Sequence, residues 1–157
     1  MSQAASSILG EEGLDRIRLI VSSQSHRDEI LLEICRFLNA AFESYDWVGF
    51  YLKDNGKEEL ILGPYVGAPT EHVRIPFGRG ICGRAAVTNA TVNVPDVMVE
   101  SNYLACNLAV RSEIVVPINK GQTFVGELDI DSHRVDRFGP DDRLFLEQVA
   151  NIVTDLF

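Results

Sequence analysis

The sequence predicts an α+β fold, a mostly antiparallel sheet with helices from both ends of the chain packed on one face. Three observations carry this reading. Apolar residues recur at helical spacing near the start of the chain and again at its end. Two hairpin signals, Asp54-Asn55-Gly56-Lys57 and Asn119-Lys120-Gly121-Gln122, each join runs of β-forming residues. No linker, internal repeat or low-complexity tract divides the 157 residues, a length that suits one domain with its own core.

Composition narrows the function classes. With 46% hydrophobic and 24% charged residues the chain is an ordinary globular protein. A net charge of -9 argues against nucleic acid or an anionic membrane as partner, since both reward a basic surface; a small or cationic ligand fits better. No apolar run approaches a membrane span, and the start Met-Ser-Gln-Ala-Ala-Ser-Ser lacks the pattern of a signal peptide, so a cytoplasmic location is expected. Cys35, Cys82 and Cys106, an odd number at wide spacings, read as reduced thiols and not as a disulfide framework.

After a polar tail over residues 1–10, expected to be flexible, Leu14, Ile17, Ile20 and Val21 predict a first amphipathic helix. Ser25, with Asp28 three residues on, marks the start of a second, whose apolar stripe from Ile30 to about Phe42 includes Cys35 as a core thiol. Asp46 to Lys53 reads as a strand, with Leu60 to Val66 as its return. Val48, Phe50 and Leu52 share its core face; Trp47, Gly49 and Tyr51 share the other, where the aromatics either line a pocket or pack beneath a loop.

Val66 to Gly80 is rich in turns, with a short extended piece around Val73 to Ile75. Ile81-Cys82-Gly83-Arg84 then opens a short helix. A thiol at that N-terminus beside Arg79 and Arg84 would have its thiolate favoured by the dipole and the positive charges; the alternative is a small residue tucked into a tight glycine-rich site. Thr91 to Val94 reads as another strand. Met98 to Arg111 has no clean period, and Cys106 on this long loop reads as a reactive thiol.

The second hairpin, Ser112 to Asp131, carries the densest signal. Alternation sends Glu127, Asp129 and Asp131 to one face and Phe124, Leu128 and Ile130 to the other, while Glu113 adds a fourth carboxylate if the register allows. Such a face is either solvated or a site for an ammonium group or a cation, because buried like charges demand an answering charge or donors. His72, Cys82, Cys106 and His133 are metal-capable types but lack the paired spacing of zinc sites, so no metal is expected. Pro140 opens the last helix, with Asp141 and Asp142 in its first turn and a stripe of Phe145, Leu146, Val149, Ile152, Val153 and Leu156.

Several stretches together carry a resemblance: Asp46-Trp47-Val48-Gly49-Phe50-Tyr51-Leu52, Ile75-Pro76-Phe77-Gly78-Arg79-Gly80-Ile81-Cys82-Gly83, Val94-Pro95-Asp96-Val97, Leu104-Ala105-Cys106, Ser112-Glu113-Ile114-Val115-Val116-Pro117 and Leu128-Asp129-Ile130-Asp131-Ser132. The chain resembles the GAF domain family and, within it, the free methionine-(R)-sulfoxide reductases. The resemblance implies a single GAF domain over residues 1–157, with N- and C-terminal helices on one face of the sheet and a loop-covered ligand pocket on the other. It implies that Cys106 is the catalytic thiol and Cys82 a second active-site cysteine. Glu113, Asp129 and Asp131 would hold the substrate, with Trp47 and Tyr51 as the walls of its pocket.

The activity so implied is reduction of free L-methionine-(R)-S-oxide to L-methionine. Cys106 would pass through a sulfenic acid and a disulfide, recycled by thioredoxin or another external thiol with no bound cofactor. A homodimer through the terminal helices goes with the resemblance. One position departs from it: the family usually has a further cysteine ten residues before Cys82, where this chain has His72, so Cys82 or an external thiol would have to resolve the sulfenic acid. The competing reading is a non-catalytic GAF domain that senses a small ligand. Its cyclic-nucleotide version is poorly matched, because Asn119, Lys120 and Phe124 are present but the acidic pair is split as Glu127-Leu128-Asp129.

Overall fold

The computed structural model describes residues 8–104 and 107–157. The chain runs α1 (Glu11–Val21), α2 (Arg27–Ala41), β1 (Trp47–Lys53), β2 (Glu59–Val66), β3 (Arg74–Pro76), α3 (Gly80–Thr88), β4 (Val92–Val94), β5 (Ser112–Lys120), β6 (Thr123–Ser132) and α4 (Pro140–Val153). Single 3-10 turns follow β4 and α4, at Val97–Val99 and Thr154–Leu156. The six strands form one sheet in the order β3-β2-β1-β6-β5-β4, every neighbouring pair antiparallel. This is the expected α+β architecture, with the long strands β1, β6 and β5 at its centre.

Strand alternation divides the interior into two layers. On one face Val48, Phe50, Ile114, Val116, Leu128 and Ile130 meet the apolar stripes of α1, α2 and α4. Leu31, Ile34, Cys35 and Leu38 of α2 and Phe145, Leu146 and Val149 of α4 are fully buried there. On the other face α3 and the segment before β5 cover Tyr51, Leu60, Ile75, Ile81, Val97 and Val115. The first layer makes the fold, and the second makes the site. Phe50→Ala, which empties a fully buried position at the sheet–helix interface, is expected to cost about 3–5 kcal/mol in a urea titration.

Three local expectations change. α2 begins one residue beyond the expected Ser25–Asp28 box: His26 is its N-cap without a side-chain hydrogen bond, and Ile30 N donates to His26 O at 3.1 Å. Phe124 does not share the face of Leu128 and Ile130. The β5–β6 register slips between Ile118, opposite Gly126, and Asn119, opposite Phe124, so Val125 is the extra residue of a bulge. An extra residue reverses the alternation beyond it. Val125 therefore packs on the helix side, while Phe124 sits edge-on to Phe77 in the other layer, ring centres 5.8 Å apart.

Asp142, expected as a charge for the α4 dipole, is buried and holds a corner together. It accepts from Tyr45 Oη at 2.6 Å, Gly139 N at 2.9 Å and Arg137 at 3.1 Å, with the Arg137 guanidinium over the Tyr45 ring. Of the tail expected over residues 1–10, residues 1–7 lie outside the described residues, and Ile8 and Leu9 pack against the helix-side core. Among the described residues no helix is long and apolar enough to cross a membrane.

Candidate active site

The second layer contains a buried acidic surface built by three adjacent strands. In the β1–β6 pairing Trp47 lies opposite Asp131, Gly49 opposite Asp129 and Tyr51 opposite Glu127. In the β5–β6 pairing Glu113 lies opposite Asp131, Val115 opposite Asp129 and Pro117 opposite Glu127. The register therefore adds Glu113 to the face that alternation gives to Glu127, Asp129 and Asp131. A solvated face is excluded: Glu127 is 0%, Asp129 1%, Asp131 2% and Glu113 6% exposed.

Cys82 reaches this surface from the first turn of α3. A Cβ on Gly83 would come within 2.8 Å of Pro76 O and 3.0 Å of Gly78, so glycine lets the helix lie directly on the preceding turn. This sets the Cys82 thiol 3.3 Å from Asp129 Oδ2, to which it donates, and 3.8 Å from Glu113 Oε1. Of the two readings of Cys82, the small residue tucked into a tight glycine-rich site is the one found, and the favoured thiolate is not. Burial, and then the charges of Asp129, Glu127 and Glu113, push the thiol well above its ordinary range. Arg84 is engaged elsewhere, with Glu100 at 3.0 Å, so the carboxylates outweigh the helix N-terminus.

Burial acts on the acids in the same sense. It pushes the Asp129 carboxyl up to about 6, against hydrogen bonding with Glu113 and Cys82 that lowers it. Glu127 and Asp131 rise well above the usual range, first through burial and then through the charge of Asp129. Protons are thus retained in this cluster near neutral pH. Both oxygens of Glu127, Asp129 Oδ1 and Asp131 Oδ1 are buried and without a hydrogen-bond partner among the described residues. Orphaned acceptors of this kind cost free energy unless a ligand supplies donors or charge.

A cavity of about 10 Å³, room for roughly one water, lies over Asp129 and Cys82. Tyr51, Ile75, Arg79 and Leu104 line it as well. The loop bearing Leu104 is clamped by Asn102, which accepts from Gly80 N at 3.1 Å and donates to Gly78 O and Gly80 O at 3.2 Å each. Asn102→Ala is expected to speed amide exchange at Gly80 by about tenfold, the loss of roughly one hydrogen bond, with little change in exchange at Phe50.

The aromatic pair divides. Tyr51 lines the cavity and donates its hydroxyl to His72 O at 3.0 Å. Trp47 packs beneath the Gly67–Ala68 loop, donating to Ala68 O at 3.0 Å and stacked on Tyr65 at 5.2 Å, with Tyr51 at 6.4 Å. A Cβ on Gly49 would come within 2.4 Å of the Trp47 ring, so the bare backbone there is what admits the indole. His72 is partly exposed, and its carbonyl links it to Tyr51. Cys35 lies on the far side of the sheet, donating to Pro64 O at 3.6 Å, where burial holds it as a thiol. Cys106 lies outside the described residues.

The surface thus brings Cys82, Glu113, Asp129 and Asp131 together with Tyr51. Glu127, which alternation put on this face but the resemblance did not carry over as a site residue, is part of it as well. Asn102 and Leu104, from a segment without a period, are neighbours of the site that the sequence did not mark, and Arg79, expected as a charge beside Cys82, lines the cavity. For a metal, the candidate donors are Cys82, Glu113 and Asp129, with one ligand atom from each lying within 4.8 Å of the others.

The GAF domain family model matches residues 26–154. Protein YtsP of Bacillus subtilis is 35% identical over 147 residues, covering 90% of this chain and 90% of its own. A free methionine-R-sulfoxide reductase of Saccharomyces cerevisiae is 36% identical, covering 95% of this chain and 88% of its own. Among solved structures, the free methionine-R-sulfoxide reductase of Neisseria meningitidis in complex with its substrate matches with a TM-score of 0.91 at 37% identity, covering 100% of this chain and 92% of that one.

Proposed function

The chain belongs to the GAF domain family and, within it, to the free methionine-R-sulfoxide reductases, and from that premise we propose that it reduces free L-methionine-(R)-S-oxide to L-methionine through its own thiols. The observation that carries this reading is the set of orphaned oxygens on the buried carboxylates beside Cys82. The ammonium of a free amino acid supplies both the positive charge and the donors that these oxygens lack. Glu113, Asp129 and Asp131 hold it. Tyr51, backed by the stacked Trp47, forms the aromatic wall for the methylated sulfur.

In the first half-reaction the Cys106 thiolate attacks the sulfoxide sulfur, and a protonated carboxyl of the cluster donates to the oxygen. That oxygen passes to Cys106, whose sulfur is oxidised to a sulfenic acid while the sulfoxide is reduced by two electrons to the thioether of methionine. The raised carboxyls of Asp129, Glu127 and Asp131 are a proton source for this step. Cys82, held as a thiol, does not compete as nucleophile. It then condenses with the sulfenic acid, forming a disulfide, its proton passing by way of Asp129 at 3.3 Å to the departing hydroxide, which leaves as water. A dithiol reductant such as thioredoxin reduces the disulfide. With His72 where the family usually has a further cysteine, Cys82 is the resolving thiol within the chain.

This chemistry belongs to a reducing compartment such as the cytoplasm. The exposed Leu19 on α1 and Leu144 on α4 support a homodimer through the terminal helices, to be read by sedimentation velocity. The functional test is methionine release from the R and S epimers with dithiothreitol and with thioredoxin. Turnover confined to the R epimer is the expected result. Absence of turnover with every reductant, together with a thermal shift on adding methionine sulfoxide, would replace the enzyme by a ligand sensor.

A further inference from the structure

We propose that the same surface is a zinc site, in which Cys82, Glu113 and Asp129 bind one Zn²⁺ with the fourth position open to the cavity, and that bound zinc excludes the substrate. The exclusion rests on the proposed reductase reading; the binding of the metal does not.

Geometry is the first support. A tetrahedral zinc with Zn–S of about 2.3 Å and Zn–O of about 2.0 Å places its sulfur and oxygen ligands about 3.5 Å apart. Cys82 Sγ lies 3.3 Å from Asp129 Oδ2 and 3.8 Å from Glu113 Oε1, and the three ligand atoms are within 4.8 Å of one another. The donors come from α3, β5 and β6, each held by regular hydrogen bonding, so little rearrangement is needed to close the site. The cavity lined by these three residues has room for about one water as fourth ligand.

Chemistry selects the metal. One sulfur among carboxylate oxygens disfavours Mg²⁺ and Ca²⁺, which take oxygen alone, and suits a borderline-soft divalent cation. The orphaned Asp129 Oδ1 and the two orphaned oxygens of Glu127, all deeply buried, show that the surface holds more acceptors than the protein answers. A dication answers more of that charge than an ammonium does. Binding displaces the proton of Cys82 and any shared by Glu113 and Asp129, so Zn–S and Zn–O bonds form as protons are released, with no change of oxidation state. Affinity therefore rises with pH. Zinc occupies the carboxylates that the substrate ammonium needs and ties up Cys82, so it blocks both binding and recycling.

The test titrates reduced, chelator-treated protein with Cd²⁺ and Co²⁺, whose thiolate-to-metal charge-transfer bands report sulfur ligation, and displaces them with Zn²⁺. One equivalent per chain is expected. Cys82→Ser should abolish the band, and Asp129→Asn should keep it while weakening zinc by at least about tenfold. Each variant's melting curve confirms that it is folded. A band that survives Cys82→Ser but disappears in Cys106→Ser or Cys35→Ala overturns the site, as does undiminished zinc affinity in Asp129→Asn.

Single-turnover methionine release from prereduced protein, without a chelating thiol, tests the exclusion. Zinc should raise the methionine sulfoxide concentration needed for half-maximal release, and excess chelator should reverse this. Tight zinc binding that leaves release unaltered overturns the exclusion. If zinc-free protein releases no methionine at all, the reductase reading fails, and the metal bands still decide the zinc site independently.

Discussion

Cys106→Ser is expected to abolish methionine release from free methionine-(R)-sulfoxide, with kcat/KM falling by at least about 10⁴-fold, as befits removal of a nucleophile. Cys82→Ser is expected to fail differently. The Cys82 thiol is kept protonated by burial and by Asp129, Glu127 and Glu113, which makes it a poor attacking group. Its variant should still release one methionine per chain from prereduced protein and then stall with thioredoxin as reductant, while dithiothreitol, which can reduce the sulfenic acid directly, sustains turnover. Mass spectrometry of the stalled variant should find Cys106 oxidised. A Cys82→Ser protein with no first turnover would assign the attack, or substrate binding itself, to Cys82. Unimpaired cycling with thioredoxin would show that an external thiol resolves Cys106 in a chain that carries His72 where the family usually has a further cysteine.

Much of the fold could be read directly because its signals are local. The Asn-Gly turn, the apolar stripes of α2 and α4 and the period-2 runs of β1, β5 and β6 each depend on neighbours within a few residues. The acidic face was legible for the same reason, Glu127, Asp129 and Asp131 being alternate residues of one strand. Alternation left Glu113 open, because its place depends on a register that brings it opposite Asp131 from another strand, and only the resemblance named it as a site residue. Phe124 was misplaced by a bulge that alternation does not reveal. The state of Cys82 required distances: its helix position favours a thiolate, and only the approach of three carboxylates shows that the opposite wins. Asn102 sits in a segment without period, so its clamp on Gly78 and Gly80 is a purely tertiary fact.

Asp129→Asn should make the ligand-free protein more stable at pH 8 while impairing it as an enzyme. The Asp129 carboxyl is pushed up to about 6, whereas in the unfolded chain it titrates near about 4. Between those values the folded protein holds a proton that the unfolded chain has lost, so stability falls as pH rises through this window. The loss from Asp129 is complete above about pH 6 and amounts to about 3 kcal/mol; Glu127 and Asp131, raised well above their usual range, extend the decline to higher pH. An amide cannot ionise. Urea titrations should therefore show Asp129→Asn gaining about 2 kcal/mol on the parent at pH 8 and nothing at pH 4. Its KM for methionine sulfoxide should rise about a hundredfold, the cost of removing one partner from a buried charge pair. Substrate supplies the missing cation, so the rise in Tm that it gives the parent should be larger at pH 8 than at pH 5. Lower stability of Asp129→Asn at both pH values would mean instead that the carboxylate is a structural acceptor for Cys82. The expected pattern marks the buried acids as a standing cost to the empty fold, offset only when a cation arrives, and so as a feature retained for what it binds.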